Sequence, residues 1–379
     1  MKKRVFLIVL DSLGAGEAPD AKAFGDEGAN TFRSLYSTGE LKIDTLKNLG
    51  VGNIDGLDFL GGNDNPSASV ARLREKSRGK DTVVGHWEIA GHVSAYPHPT
   101  FPYGFPKAVI NRIEELSGRA VLCNEPYSGT KVIEDYGAEA FDRGALIVYT
   151  SADSVLQIAA HTDKVSLDEL YSICKTLRKE LTGEEYGVGR IIARPFATDD
   201  DGRFVRTADR KDFSLQPPKD LLPETVKKSG LDSIAIGKIN DIFSGVGFTQ
   251  TYKTHSNEEG MDFLDRFAGE AFCGLCFANL VDFDMLWGHR RDAIAYTRGL
   301  NAFDAWLSEF IKKLSADDVL IITADHGCDP CFDRSTDHTR EYVPYIEYSP
   351  NGETKNYGTV EGFSFVFDRV RKMLNLKSF

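Results

Sequence analysis

Residues Lys3 to Leu10 begin with basic side chains, continue as an unbroken apolar and β-branched run (VFLIVL), and stop at Asp11-Ser12-Leu13-Gly14. A strand that is apolar on both faces has to be covered on both faces, which is the habit of a parallel sheet held between layers of helix. The pattern recurs at Ala145 to Thr150, Ser233 to Gly237, Leu275 to Val281 and Val319 to Thr323. Helical spacing lies between or beside these runs, over Asp168 to Leu181, Glu259 to Phe267 and Ala293 to Leu314. Strands alternating with helices predict an α/β fold with a mainly parallel sheet flanked by helices.

The middle of the chain carries strand and helix signals of its own. It is bounded by turn formers, Tyr96-Pro97-His98-Pro99 on one side and Gln216-Pro217-Pro218 on the other. Residues 98–217 therefore read as an inserted α+β cap domain, and residues 1–97 with 218–379 as a discontinuous core. Asn53 to Ser69 reads as a loop, and no internal repeat is visible.

Composition narrows the functional classes. With 379 residues, 41% hydrophobic and 27% charged, the chain has the make-up of a soluble globular protein. A net charge of -12 argues against nucleic acid as a partner. It leaves room for a small phosphorylated substrate, because bound metal ions can reverse the sign of a cleft. The N-terminal apolar run is too short for a signal peptide, and no stretch is long enough to span a membrane. Six cysteines in a chain of this length do not suggest a disulfide framework. The expectation is a cytoplasmic protein with no obligate protein partner.

The polar residues fall where the strands end. Asp11 follows VFLIVL, Asp282 and Asp284 follow ANLV, and Asp325-His326 follows LIITA. In open α/β sheets, ligand sites form beyond the carboxyl ends of the strands. His289 follows Asp284 by five residues, and Thr336-Asp337-His338 lies shortly after Asp325-His326. Carboxylate together with imidazole suits manganese or zinc. Taken singly, each has an ordinary explanation: Asp11 as a turn cap, His326 as a core histidine, His289 as a surface residue beside Arg290 and Arg291. Together they would crowd carboxylates at the ends of apolar strands, which demands a cation or protons. Cys273 and Cys276, like Cys328 and Cys331, have the spacing of a zinc pair. Residues three apart on a strand point to opposite faces, however, so Cys276 reads better as a small buried hydrophobe.

A further cluster is Lys80-Asp81-Thr82 with Gly85-His86-Trp87-Glu88. Thr82 reads either as part of a helix cap or as a hydroxyl nucleophile. A nucleophilic threonine needs a base, a metal or a lowered pKa, and a helix N-terminus adds donors for phosphate.

The stretch from Asp11 to Asp20 (DSLGAGEAPD), Lys80-Asp81-Thr82 with Gly85 to Glu88, Tyr149 to Gln157 (YTSADSVLQ), Val281-Asp282-Phe283-Asp284 and Thr323 to Gly327 (TADHG) resemble the phosphopentomutases. That is the prokaryotic, metal-dependent family within the alkaline phosphatase superfamily, and the resemblance runs from about residue 3 to about residue 350. It implies an alkaline-phosphatase-like core and interconversion of ribose 1-phosphate and ribose 5-phosphate, with the deoxyribose equivalents. It implies two Mn2+ ions, one held by Asp11, Asp325 and His326, the other by Asp284, His289 and His338. Thr82 matches the phosphoryl carrier, which passes its group to a sugar monophosphate by way of a pentose bisphosphate. Glucose 1,6-bisphosphate would serve as the priming activator. Ser151, Asp153, Arg190 and Lys238 match positions that hold the pentose phosphate, and the two cations suit phosphate on physical grounds.

The chain departs from the family at Val84, where a second threonine is usual, and at Cys328, where asparagine is usual. The part beyond about Asn351 is shorter than is typical. The competing readings are a metal-dependent phosphomonoesterase or phosphoglycerate mutase of the same superfamily, and a sugar-phosphate-binding protein without catalysis.

Overall fold

A computed structural model describes residues 3–151 and 154–376. The chain forms two compact units, Met1–Ala95 with Pro217–Phe379, and Tyr96–Gln216. The strands in chain order are β1 (Arg4–Leu10), β2 (Ser69–Arg74), β3 (Val121–Pro126), β4 (Leu146–Thr150), β5 (Val155–His161), β6 (Arg190–Thr198), β7 (Phe204–Arg206), β8 (Lys211–Ser214), β9 (Asp232–Ile236), β10 (Gln250–Tyr252), β11 (Gly274–Leu280), β12 (Asp318–Thr323), β13 (Val343–Tyr348) and β14 (Asn356–Glu361).

The discontinuous unit is built on an eight-stranded sheet in the order β10-β9-β11-β1-β12-β13-β2-β14. From β10 to β12 every pairing is parallel; β13 alone runs against its neighbours β12 and β2. The expectation of a mainly parallel sheet therefore holds. The apolar run of β1 explains its central place. Val5 to Leu10 are all buried, and the strand pairs in register with β11 (Leu10 opposite Leu280) and with β12 (Val9 opposite Thr323). At the other end of the sheet, Arg4 forks onto Asp318 at 2.7 and 2.6 Å, fixing the amino ends of β1 and β12 together.

Helices cover the sheet. Asn257–Gly269 packs on β11, and its cap, Ser256, accepts from the Glu259 amide at 3.2 Å. Leu222–Lys228 packs on β9 and β11, while Ser364–Leu374 packs on β1 and on the helix Thr82–Ile89. Ala293–Phe310 starts at Asp292, whose side chain accepts from the Ala295 amide at 2.9 Å. Among the described residues, no helix is long and apolar enough to cross a membrane.

The inserted unit is a second sheet, β3-β4-β5-β6-β7, with β8 also paired to β6. Alternation along β4 sets its two faces. Leu146 and Val148 join the helices Lys107–Ser117 and Leu167–Glu180 through Val109, Ile113, Leu170 and Leu177. Ile147 and Tyr149 join the helix Lys131–Arg143 through Val132, Ile133 and Ala140. Parallel and antiparallel pairings are mixed here, as expected of an α+β unit.

A candidate two-metal site at the ends of parallel strands

Because β11, β1 and β12 are adjacent and parallel, their carboxyl ends deliver Asp284, Asp11 and Asp325 to one edge of the sheet. The Asp11 amide donates to the Leu280 carbonyl at 3.3 Å, and the Ser12 amide donates to Asp325 Oδ1 at 3.2 Å. Ser12 takes a left-handed backbone (φ 73°), which lets the chain turn as soon as Asp11 is placed.

After β11 the chain forms a short π-helix, Phe283–Gly288, in which the His289 amide donates to the Asp284 carbonyl five residues back at 3.1 Å. This i→i+5 closure brings the two side chains together, and such turns are frequent at functional sites. Asp284 Oδ2 lies 3.4 Å from His289 Nε2, and Asp284 Oδ1 lies 3.4 Å from His338 Nε2.

The three histidines share one arrangement. His289 Nδ1 donates to the Thr336 carbonyl at 2.7 Å, His338 Nδ1 to the Lys80 carbonyl at 3.0 Å, and His326 Nδ1 to the Gly327 carbonyl at 3.1 Å. Each Nε2 lone pair is thereby aimed at carboxylates, the usual preparation of a metal-ligating histidine. His289 Nε2 and His338 Nε2 face each other at 3.1 Å, two acceptors with nothing of the chain to share unless a proton or a cation lies there.

Asp284, His289 and His338 present ligand atoms within 4.8 Å of one another, and so do Asp11, Asp284 and His326. Asp284 thus belongs to both groups, whereas the family resemblance gave it to the second alone. Asp325 Oδ2 lies 3.3 Å from His326 Nε2. It also lies 3.0 Å from His86 Nδ1, but that N–H is directed at the Thr82 carbonyl at 2.8 Å.

Among the described residues, Asp11 Oδ1, Asp284 Oδ1 and Asp325 Oδ2 are buried and accept no hydrogen bond. Like charges about 4 Å apart repel by about 4 kcal/mol at an effective dielectric constant of about 20. Burial, then Asp325 and Asp284, push the Asp11 carboxyl well above its ordinary range. Asp284, although buried, is held low by His289 and His338, and it lifts His289 to about 11. Burial lowers His326 to about 4, so its imidazole is neutral and free to ligate. Orphaned carboxylate oxygens facing prepared imidazoles fit divalent cations.

Thr82 opens the helix Thr82–Ile89, and Asp81 caps it by accepting from the Val83 and Val84 amides at 3.0 and 3.1 Å. Thr82 is 7% exposed, and its hydroxyl lies 3.1 Å from His326 Nε2. Val84 is buried, so a hydroxyl there would sit in the core. Cys328 is buried too, and burial pushes its thiol up to about 11. All of the described cysteines are free.

Lys238 follows β9 in the same unit, exposed, with its charge lowering Asp11. Ser151 and Arg190 lie in the inserted unit, at the end of β4 and the start of β6. Asp153 lies outside the described residues.

Sequence reasoning missed two neighbours of the site. Asn279 Nδ2 donates to Asp11 Oδ2 at 2.9 Å and reaches His86 Nε2 at 3.3 Å. His86 in turn holds the Thr82 carbonyl. The signals were there: an amide inside the apolar run of β11, and a histidine four residues after Thr82 on the same helix face.

The fold and this cluster define a class. The family model of the Metalloenzyme superfamily matches residues 3–377. A phosphopentomutase from Lachnoclostridium phytofermentans is 48% identical over 382 residues, covering 99% of this chain and 96% of the relative. Another, from Clostridium novyi, is 48% identical and covers 100% of this chain and 96% of its own. The chain belongs to the phosphopentomutases, a family of isomerases within that metalloenzyme superfamily. The solved structure of the PH0037 protein from Pyrococcus horikoshii shares the fold, with a TM-score of 0.51 and 12% identity, covering 100% of this chain and 99% of that one.

Proposed function

We propose that the chain interconverts ribose 1-phosphate and ribose 5-phosphate, and the deoxyribose pair, with Thr82 as the phosphoryl carrier. The observation that carries this reading is the Thr82 hydroxyl, 3.1 Å from His326 Nε2, at a capped helix N-terminus beside orphaned carboxylates. Two divalent cations, Mn2+ in our reading, would be held by Asp11, Asp325, His326, Asp284, His289 and His338, and would supply Lewis acidity toward the phosphoryl oxygens.

The chain's own part is positional. Asp81 and the first amides of the helix hold Thr82, and donors at that terminus favour phosphate. Phosphothreonine gives its group to the free hydroxyl of an incoming pentose monophosphate. The P–Oγ bond breaks, a P–O bond to the sugar forms, and the proton lost by the sugar hydroxyl is balanced by one taken up at the freed Thr82 oxygen. The resulting bisphosphate returns its other phosphate to Thr82. Ser151, Asp153, Arg190 and Lys238 hold the pentose phosphate, and glucose 1,6-bisphosphate primes a bare Thr82.

The test is conversion of ribose 1-phosphate to ribose 5-phosphate with manganese, with and without glucose 1,6-bisphosphate. Thr82→Ala should abolish turnover while still binding manganese. Full activity in that variant, or steady release of inorganic phosphate with no isomer formed, would sink the proposal.

A further inference from the structure

We propose that the inserted unit carries an oxyanion site for a phosphomonoester, built by Arg194, Arg206, Arg210 and the Tyr149 hydroxyl. Pairing puts these residues on one face of the second sheet. Tyr149 is opposite Gln157, Gln157 is opposite Ile192, and Arg194 follows two residues on with the same orientation. Arg206 is opposite Phe196, and Arg210 precedes Lys211, the partner of Ala193.

Two of the three guanidinium groups, those of Arg194 and Arg206, are held by neutral oxygens. Arg194 Nε donates to Gln157 Oε1 at 3.1 Å, and Arg206 Nε donates to the Gly129 carbonyl at 3.1 Å. Among the described residues, neither is paired with a carboxylate. Asp212 is taken by Arg210, at 2.7 and 2.8 Å, and lies 3.8 Å from Arg190.

The second observation is Tyr149, which is 0% exposed yet has a hydroxyl with no hydrogen-bond partner among the described residues. A Cβ on Gly129 would fall 2.7 Å from that hydroxyl and 2.1 Å from Arg206 Nη2. The glycine therefore gives hydroxyl and guanidinium the room to converge. Burial raises the tyrosine, while Arg194, Arg206 and Arg210 pull it down, as expected where three cations surround one buried phenol. A planar fork of donors with a hydroxyl beside it suits a phosphate dianion. That this dianion belongs to a sugar phosphate rests on the proposed mutase function; the oxyanion site itself does not.

The test titrates ribose 5-phosphate into the manganese-loaded full chain by calorimetry, in a Thr82→Ala background that prevents turnover, with ribose as the control. Arg194→Gln and Arg206→Gln should each weaken ribose 5-phosphate by about tenfold or more, a loss in line with a charge-assisted contact. Tyr149→Phe keeps the ring in the core and should weaken it several-fold. Manganese binding should not change. Wild-type affinity in both Arg206→Gln and Tyr149→Phe would overturn the site, even if the wild-type chain isomerises pentose phosphates. If the wild-type chain forms no ribose 1-phosphate but the losses of affinity persist, the mutase reading fails and the site stands.

Discussion

The helix that carries Thr82 lies so close to the loop after β12 that a Cβ on Gly85 would fall 2.1 Å from the Asp325 carbonyl oxygen. Gly85 is in the helix interior, where glycine is intrinsically unfavourable. Contact between the Thr82 helix and the loop that carries Asp325 explains it. Gly85→Ala should push the helix off the loop and lengthen the Thr82–His326 contact. Overpacking of this kind costs about 1–3 kcal/mol, and misplacement by about 1 Å can cost about 100-fold in rate. A lowered melting temperature with kcat reduced by that order is expected; wild-type kcat in the folded variant would refute the account.

Manganese binding should release protons. Without a cation, Asp284 holds a proton on His289, raised to about 11; His338 is also raised, the carboxylate outweighing its burial. Metal ligation needs the neutral imidazole. Titration calorimetry at neutral pH in buffers of different ionisation enthalpy should show a binding heat that varies with the buffer. A heat that is the same in all buffers contradicts this reading of the site. Chelation should also lower the melting temperature, since it leaves Asp11, Asp284 and Asp325 facing one another.

Arg340 braces the segment that leads into Thr82. It is buried, donates to the Gly79 carbonyl at 2.7 Å, pairs with Glu75, and reaches Asp20 at 3.0 Å. Arg340→Met should cost about 3–5 kcal/mol, because it strands the buried Glu75 carboxylate. Arg340→Lys should recover only part of that, having lost the planar fork. Urea denaturation of the three proteins would test the order.

Glu341 should make stability depend on pH. Its carboxyl accepts from the Gly16 and Thr31 amides and the Thr31 and Thr339 hydroxyls. Burial, with Asp329 adding, nevertheless raises it from 4.5 to about 7. The folded chain holds the proton more tightly than the unfolded one, so this contribution is complete below about pH 4.5 and is lost as the pH rises through 7. The loss is on the order of 3 kcal/mol. Between pH 5 and 8, Glu341→Gln should remove this falling component from the stability profile. A variant whose pH profile parallels that of the wild-type chain would rule it out.

Much of the site could be read along the chain because parallel strands announce their ends. Asp11 and Asp325 each follow a run too apolar for anything but a doubly covered strand, and adjacency of those strands did the rest. Spacing alone did not pair Asp284 with His289; the family resemblance did. Their spacing is wrong for one face of an α-helix, and only the π-helical closure after β11 aligns them. The antiparallel β13 was not readable either, since its sequence, VPYIEY, mixes proline, glutamate and tyrosines among its apolar residues and lacks the continuous apolar signature.

By itself the sequence determined the α/β class, the strand ends that present carboxylates, and the family, through motifs that stay recognisable wherever the chain places them. The tertiary structure decided which atoms meet. It put Asp284 within reach of both candidate ligand groups, set Asn279 and His86 behind Asp11 and Thr82, and gathered arginines around the buried Tyr149 on the second sheet. The physical reason is range. Apolar patterning is local and survives in one dimension, whereas hydrogen-bond direction and charge pairing depend on contacts between residues hundreds of positions apart.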